Sequence, residues 1–160
     1  MSYLVDGNNV MAQRVGWHRD RTGARRRLME ELARFAGRAG ARVSVVFDGA
    51  PEEHFPDGAR YRGIRVFYAE RGSNADERIK RMVEESRERR TLRVVTSDRA
   101  LADYVRLCGA QVVRAGEFRR RIEETQAGSE DGSAPVERRE GVPDAEMNQW
   151  MRYFGVEEDE

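Results

Sequence analysis

Short apolar runs of β-branched residues alternate along this chain with segments of helical periodicity. Residues 43–47 and 92–95 are short runs of mostly apolar residues, each with one polar residue (Ser44 and Arg93), and such runs are typical of strands buried on both faces. Between them and around them, leucine, isoleucine and phenylalanine recur three and four residues apart, as on one face of a helix. Connections are short, so the alternation predicts an α/β fold with a central parallel sheet flanked by helices. The predicted strands are 2–5, 43–47, 64–69, 92–95 and 111–114, and the predicted helices are 22–38, 75–89, 101–108 and 117–124.

The 160 residues suit a single compact domain followed by an extension. We expect the domain to span residues 1–125. Residues 126–143 are rich in Gly, Ser, Pro and charge, which predicts a flexible linker. Residues 144–160 hold a short amphipathic helix and an acidic tail. The apolar face of that helix (Met147, Trp150, Met151, Phe154) docks either on its own chain or on a partner such as a second copy.

Several classes of protein are excluded by what the sequence lacks. No run approaches the roughly 20 apolar residues that a membrane-spanning helix needs, so no membrane partner is expected. The first residues show neither a basic stretch nor a long apolar run, so no secretory signal is predicted. Cys108 is the single cysteine, which excludes an intramolecular disulfide scaffold and a cysteine-rich zinc site. A reducing, cytoplasmic location is therefore expected.

The net charge of zero conceals a basic body and an acidic tail. Residues 1–121 carry 26 basic and 17 acidic side chains, whereas residues 122–160 carry 3 and 12. All the basic residues except Lys80 are arginines, whose planar guanidinium group binds phosphate through two hydrogen bonds. The pattern favours a nucleic-acid-binding surface, although genome composition or growth at high temperature also enriches arginine. The tail either lies across the basic body and inhibits it or only increases solubility.

Four aspartates occur where predicted strands end. Asp6, Asp48 and Asp98 follow the first, second and fourth strands, and Asp76 lies in the first turn of the helix after the third. Each has an ordinary structural role available, as a turn residue or a helix cap. Since the carboxyl ends of parallel strands share one edge, where ligands bind in such folds, we expect the four to converge.

Converged carboxylates repel one another unless a cation holds them together. Oxygen ligands without cysteine or clustered histidine select Mg²⁺ or Mn²⁺. The two histidines, His18 and His54, fall in predicted loops, which argues against a hydrolase with a histidine base. Such an ion activates water and neutralises charge on a phosphoryl oxygen, so an arginine-rich chain of this kind favours a phosphodiester substrate.

Five short motifs in the same order resemble the YacP-like NYN domain, a member of the PIN-like superfamily of metal-dependent ribonucleases. They are LVDGNNV at 4–10, VFDG at 46–49, NADERI at 74–79, VTSD at 95–98 and GA at 109–110. The resemblance covers roughly residues 2–122. It implies a PIN-like domain and endonucleolytic cleavage of RNA by a Mg²⁺- or Mn²⁺-bound water, which leaves a 5′-phosphate and a 3′-hydroxyl.

The resemblance also assigns roles to individual residues. Asp6, Asp76 and Asp98 fall on the metal-binding and catalytic positions of the family, and Asp48 binds the metal directly or through water. Asn9 is counted with the catalytic residues, because it orients Asp6 or the phosphate.

Two arginines are expected to contact RNA phosphates: Arg25, which occupies a frequent arginine position of the family, and Arg99, which follows Asp98. Two positions depart from the family pattern and bear on substrate selection. Asn8 stands where tyrosine is frequent, and Asn74 stands where threonine is frequent.

The leading hypothesis is an endoribonuclease that depends on Mg²⁺ or Mn²⁺ and acts on RNA, with single-stranded RNA or mRNA favoured. A catalytically weak RNA-binding or ribosome-associated module of the same fold is the alternative, and the ribosome and a second copy of the chain are candidate partners. A small-molecule phosphohydrolase ranks third. Its aspartyl-phosphate form needs a second carboxylate two residues after the nucleophile, and Asn8 stands at that position.

Overall fold

A computed structural model describes residues 1–69 and 74–132, with side chains described to residue 126. Its centre is a six-stranded sheet in the order β3-β4-β2-β1-β5-β6. All neighbouring strands are parallel except β3 and β4, which are antiparallel. The predicted α/β architecture with a parallel central sheet is therefore confirmed. The strands are β1 Ser2–Asp6, β2 Arg42–Asp48, β3 Ala59–Tyr61, β4 Ile64–Ala69, β5 Leu92–Val95 and β6 Gln111–Val113.

Helices cover both faces of this sheet. The helices are α1 Gly7–Met11, α2 Arg21–Ala39, α3 Ala75–Glu85, α4 Arg99–Leu107 and α5 Ala115–Gly132. One core contains α1, α2 and α5, where the rings of Tyr3, Phe35 and Phe118 pack together. The other core lies under α3 and α4, where Ile79 and Val105 are fully buried. Alternate residues of each strand face opposite cores, because strand side chains alternate between the two faces.

Helix ends follow the signals in the sequence. The side chain of Asn74 accepts a hydrogen bond from the backbone of Glu77 and so caps α3. Asp20 caps α2 in the same way. Gly40 ends α2 at a φ of 65°, a left-handed conformation that glycine adopts without steric cost. Within the described residues, no helix has the length and apolar character needed to span a membrane.

Four elements differ from the predictions. Residues 7–11 form α1, which is not among the predicted helices. A Cβ at Gly7 would lie 2.6 Å from the ring of Phe47, so only glycine permits this close packing. The short strand β3 was not predicted. Helix α3 ends at Glu85, four residues early, and α5 continues to Gly132, well beyond residue 124. The rest of the predicted linker and the amphipathic helix at 144–160 lie outside the described residues.

Candidate active site

The four strand-end aspartates lie along one edge of the sheet. Asp6 and Asp48 are the last residues of the adjacent strands β1 and β2. Asp98 precedes α4 after β5, the other neighbour of β1, and Asp76 opens α3 after β4. The order β4-β2-β1-β5 therefore brings four consecutive carboxyl ends together, as the parallel topology requires.

Asp6 is the most buried of these carboxylates, with 4% of its surface exposed. Burial, together with the negative charges of Asp76 and Asp48, raises its pKa from 3.8 to about 7. Hydrogen bonds from the Thr96 hydroxyl and from the backbone of Asn9 act in the opposite direction. Asp6 is thus a buried acid whose surroundings are largely negative.

Asp76 is also destabilised as an anion. Partial burial raises its pKa, and so do the charge of Asp98, a hydrogen bond between the two carboxyl groups and the charge of Asp48, while Lys80 lowers it. These interactions place Asp76 among the other three aspartates. Within residues 1–69 and 74–126, none of the four aspartates forms a salt bridge with a basic side chain.

Two of the aspartates also hold backbone amides. Asp98 Oδ1 accepts a hydrogen bond from Leu101 N at 3.0 Å and caps α4. Asp48 Oδ1 accepts one from Ala75 N at 2.7 Å, which ties the end of β2 to the start of α3 and so positions Asp76. Asp48 and Asp98 therefore stabilise the fold and also belong to the cluster of four carboxylates.

Asparagines of α1 connect the strand ends on either side of β1. Asn8 Oδ1 accepts a hydrogen bond from Asp48 N at 3.0 Å, and Asn9 Oδ1 accepts one from Ser97 N at 2.7 Å. Asn9 also donates its backbone N–H to Asp6. Asn9 therefore fixes both Asp6 and the loop that carries Asp98, and Asn8 braces Asp48.

Thr96 is a site residue that the sequence reasoning missed. Its fully buried hydroxyl donates to Asp6 Oδ2 at 3.1 Å and accepts from Asp98 N at 3.1 Å. One hydroxyl thus links the aspartates of two neighbouring strands. The available signal was a hydroxyl residue two positions before an aspartate at a strand end.

The two predicted phosphate contacts lie in different environments. The guanidinium group of Arg25 lies over the rings of Phe47 and Tyr68. It donates to the carbonyl oxygens of Asp48 and Ala50, so it fixes the loop after β2. Arg99, by contrast, is exposed at the first position of α4, next to Asp98.

Another arginine, on α3 itself, connects the start of this helix to the end of β4 and to the loop before β3. Arg78 donates to Asp57 Oδ1 at 2.9 Å and to the carbonyl oxygen of Tyr68. Asp57 in turn accepts from Tyr68 N at 2.9 Å. Arg78 belongs to the NADERI motif, but its partners lie 10 and 21 residues away in sequence, so spacing alone did not reveal this contact.

The donor set at this edge consists of carboxylate oxygens. Among the described residues, no group of three or more His, Cys, Asp or Glu side chains stands in a ready arrangement for a metal ion. The aspartates are close enough to repel one another, yet Asp48 and Asp98 each direct one oxygen to a backbone amide. The edge is therefore a concentrated negative site.

Comparison with known proteins gives a family and two structural relatives. The YacP-like NYN domain matches residues 3–151. A tryptophan-to-leucine variant of Rae1 (YacP) from Bacillus subtilis is 25% identical, with a TM-score of 0.68, and the match covers 81% of this chain and 79% of that one. Another Rae1 (YacP) crystal structure from Bacillus subtilis is 25% identical, with a TM-score of 0.66 and coverage of 84% and 80%. No curated protein matches the chain.

The family match spans nearly the whole chain, and the structural matches extend over about four fifths of it. They agree with the α/β fold described above. NYN domains are PIN-like nuclease domains, and such nucleases generally use divalent metal ions. This chain belongs to the YacP-like NYN domain family and is a nuclease-type protein with an RNA-related function.

Proposed function

We propose that the protein is an endoribonuclease that hydrolyses RNA phosphodiester bonds with the help of Mg²⁺ or Mn²⁺. The observation that supports this most directly is the convergence of four aspartates, none of which forms a salt bridge with a basic side chain among the described residues. Burial and the charges of Asp76 and Asp48 raise the pKa of Asp6 to about 7. Such a site gains stability from a cation.

The residues present fit a hard divalent cation. Every donor is a carboxylate oxygen, and the buried charge of Asp6 has no counter-charge from a salt bridge in the part of the chain that the structure describes. Asp6, Asp76 and Asp98 would hold the ion, and Asp48 would assist through its second oxygen. When bound, a divalent ion lowers the pKa of a coordinated water and stabilises negative charge on the phosphoryl group.

The chain's own side chains prepare this site. Thr96 and Asn9 orient Asp6, and the cap on α4 orients Asp98. A hydrogen bond between Asp76 and Asp98 keeps their two carboxyl groups next to each other. Arg99 stands exposed beside Asp98, where it would bind a phosphate of the substrate and keep the RNA strand at the edge of the sheet.

A second candidate function is a catalytically weak module of the same fold that binds RNA or associates with the ribosome. It is favoured by the two aspartates already engaged as backbone acceptors and by the lack of a ready three-ligand group among the described residues. The two candidates make different predictions for pure protein with RNA.

The test compares Asp6→Asn and Asp98→Asn with the parent in Mn²⁺ and in Mg²⁺. Asparagine keeps the cap on α4 and the volume of the buried group, so the fold should persist by circular dichroism. We expect cleavage to fall by more than about 100-fold, beyond the usual effect of residues that only orient metal ligands. The matched control is Asp103→Asn, which removes an exposed carboxylate on α4.

The reaction products provide a further criterion. Parent protein should leave a 5′-phosphate and a 3′-hydroxyl, and EDTA should stop the reaction. Cleavage at the parental rate by either site variant would contradict the proposal. Metal-independent binding of RNA without any cleavage would favour the second candidate.

A further inference from the structure

The opposite end of the sheet carries an open groove of about 1050 Å³. It lies where β1, β2 and β4 begin, on the face that α3 and α4 cover. Met82 and Ser86, at the end of α3, form part of its wall. Because α3 ends there, the first residues of the strands are left without a covering helix.

The strand residues in this groove are polar, in contrast to those nearer the acidic edge. On β2, the positions that face α3 run from exposed Arg42 through half-buried Ser44 to fully buried Val46. On β4 they run from exposed Arg65 to half-buried Phe67. A sheet face that is covered by helices along its whole length would carry apolar residues throughout. The sequence of each strand thus changes from basic to apolar.

Four exposed arginines line the groove: Arg42, Arg60, Arg62 and Arg65. None of the described residues that line it is acidic. Within residues 1–69 and 74–126, none of the four forms a salt bridge. Arg62 lies over the ring of Tyr61 and Arg65 over that of Phe67, which holds both guanidinium groups near the sheet.

The register of the β3–β4 hairpin places like charges opposite each other. Arg60 pairs directly with Arg65, and like charges in directly opposed positions destabilise an antiparallel pair. At the tip of the same hairpin, Arg62 has a φ of 46°, a conformation that costs energy for a residue with a Cβ. Two energetically unfavourable features therefore coincide with the arginines of this groove.

We propose that this groove binds the phosphodiester backbone of RNA as a second contact, distant from the acidic edge. Arg42 and Asp48 begin and end β2, so the two sites are about 20 Å apart at roughly 3.3 Å per residue. Arginine suits phosphate because its planar group donates two parallel hydrogen bonds. The choice of RNA rests on the proposed function, whereas the preference for a polyanion rests on the groove itself.

The test measures RNA binding in EDTA, where no metal-dependent cleavage takes place. The probe is a fluorescent single-stranded RNA of about 20 nucleotides, titrated at several salt concentrations. We expect the double variant Arg60→Gln/Arg65→Gln to bind about tenfold more weakly at 0.1 M salt. The slope of log affinity against log salt should fall by about 1.4, the value for two lost phosphate contacts.

The matched control removes two positive charges from the other side of the sheet. Arg34 and Arg120 are exposed on α2 and α5, and Arg34→Gln/Arg120→Gln should retain the parental affinity and slope. If both double variants lost RNA affinity equally, net charge alone would explain the effect, and the proposal would be overturned. Parental affinity in the groove variant would overturn it as well.

A charge reversal separates binding from folding. Arg65→Glu places a carboxylate opposite Arg60, so the thermal midpoint should remain or rise while RNA affinity falls more than in the neutral variant. A fall in the thermal midpoint together with unchanged affinity would contradict the proposal. So would tight binding of polyglutamate that depends on the same arginines, since that would identify an acidic polypeptide as the ligand. All these readouts are independent of cleavage, so failure of the nuclease proposal leaves them interpretable.

Discussion

The two ends of the central sheet carry opposite charges, and those charges are held in different ways. At the carboxyl end, the aspartates are fixed by hydrogen bonds from Thr96, from Ala75 N and from Leu101 N. At the amino end, exposed arginines line an open groove without an acidic neighbour among its lining residues. At the carboxyl end, the side chains are held in place without a ligand, whereas at the amino end the positive charges are spread over an open surface. Chemistry needs the first arrangement, and retention of a long polyanion needs only the second.

Arginine itself illustrates the difference. Arg25, near the acidic edge, gives its donors to the backbone carbonyl oxygens of Asp48 and Ala50 and is half-buried against aromatic rings. Arg42, in the groove, is exposed, and it forms no salt bridge with any of the described residues. The same side chain therefore stabilises the protein at one end and is available to a ligand at the other.

The largest expected effect concerns the pH dependence of stability at the acidic end. In the metal-free protein Asp6 keeps a proton up to about pH 7, whereas the unfolded chain releases it near pH 3.8. The free energy of unfolding should therefore fall as pH rises between these values, by up to about 4 kcal/mol, and level off above pH 7. Urea unfolding in EDTA across this range measures the change.

Asp6→Asn should remove this fall, because the amide does not titrate. The exposed-site control Asp103→Asn should keep the parental pH profile. A parental profile in Asp6→Asn would show that Asp6 is not a destabilised anion, and the contrast between the two ends would lose its electrostatic basis.

The next prediction compares the two kinds of arginine directly. Arg25→Lys keeps the charge but loses the paired hydrogen bonds to carbonyl oxygens and the stacking on aromatic rings, so we expect about 2–3 kcal/mol less stability. Arg42→Lys should change stability by less than about 0.5 kcal/mol, as is usual for exposed residues. Chemical denaturation of both variants at one pH tests the difference. Equal effects would remove the distinction between structural and ligand-binding arginines.

Thr96→Val probes the positioning of the aspartates. Loss of the bridging hydroxyl should slow RNA cleavage by about 10–100-fold and raise the Mn²⁺ concentration needed for half-maximal activity. The control is Thr125→Val, since Thr125 is buried but its hydroxyl donates to the carbonyl oxygen of Arg121 within α5. If both variants keep the parental Mn²⁺ dependence, the role of Thr96 is confined to stability.

The smallest expected effect lies at the tip of the β3–β4 hairpin. Arg62→Asn should raise stability by up to about 1 kcal/mol, since asparagine tolerates the left-handed conformation better. The same change should weaken RNA binding about twofold to threefold through the loss of one charge. Arg62→Lys, which keeps the charge and the unfavourable conformation, should show neither effect. If Arg62→Asn gained no stability, the left-handed backbone conformation of Arg62 would carry no energetic cost.

Local patterns were sufficient for most of the framework. Helix α2 and strand β5 were predicted within one residue at each end, because both have strong periodicity and clear end signals such as Gly40. Helix α1 was missed because five residues are too few to show periodicity and Gly-Asn-Asn is typical of a turn. Strand β3 was missed because its three residues are stabilised by pairing with β4 rather than by their own composition.

The site was predicted in part for the same reason. The aspartates were found because strand ends in a parallel sheet share one edge. Thr96 was missed because its role depends on the distance between β1 and β5. Arg25 lies near the aspartates, as expected, but its guanidinium group contacts backbone carbonyl oxygens. The roles assigned to the metal ligands and to Arg99 remain predictions for the experiments above.

The sequence by itself determined the alternation of strands and helices, the placement of acids at strand ends and the excess of arginine in the body. These are properties of neighbouring residues, so they can be recognised along the chain. Only the tertiary structure decided which hydroxyl joins two aspartates and which arginines face a groove. Arg42, Arg60 and Arg65 come from three strands and form one surface only because of the order and register of the sheet.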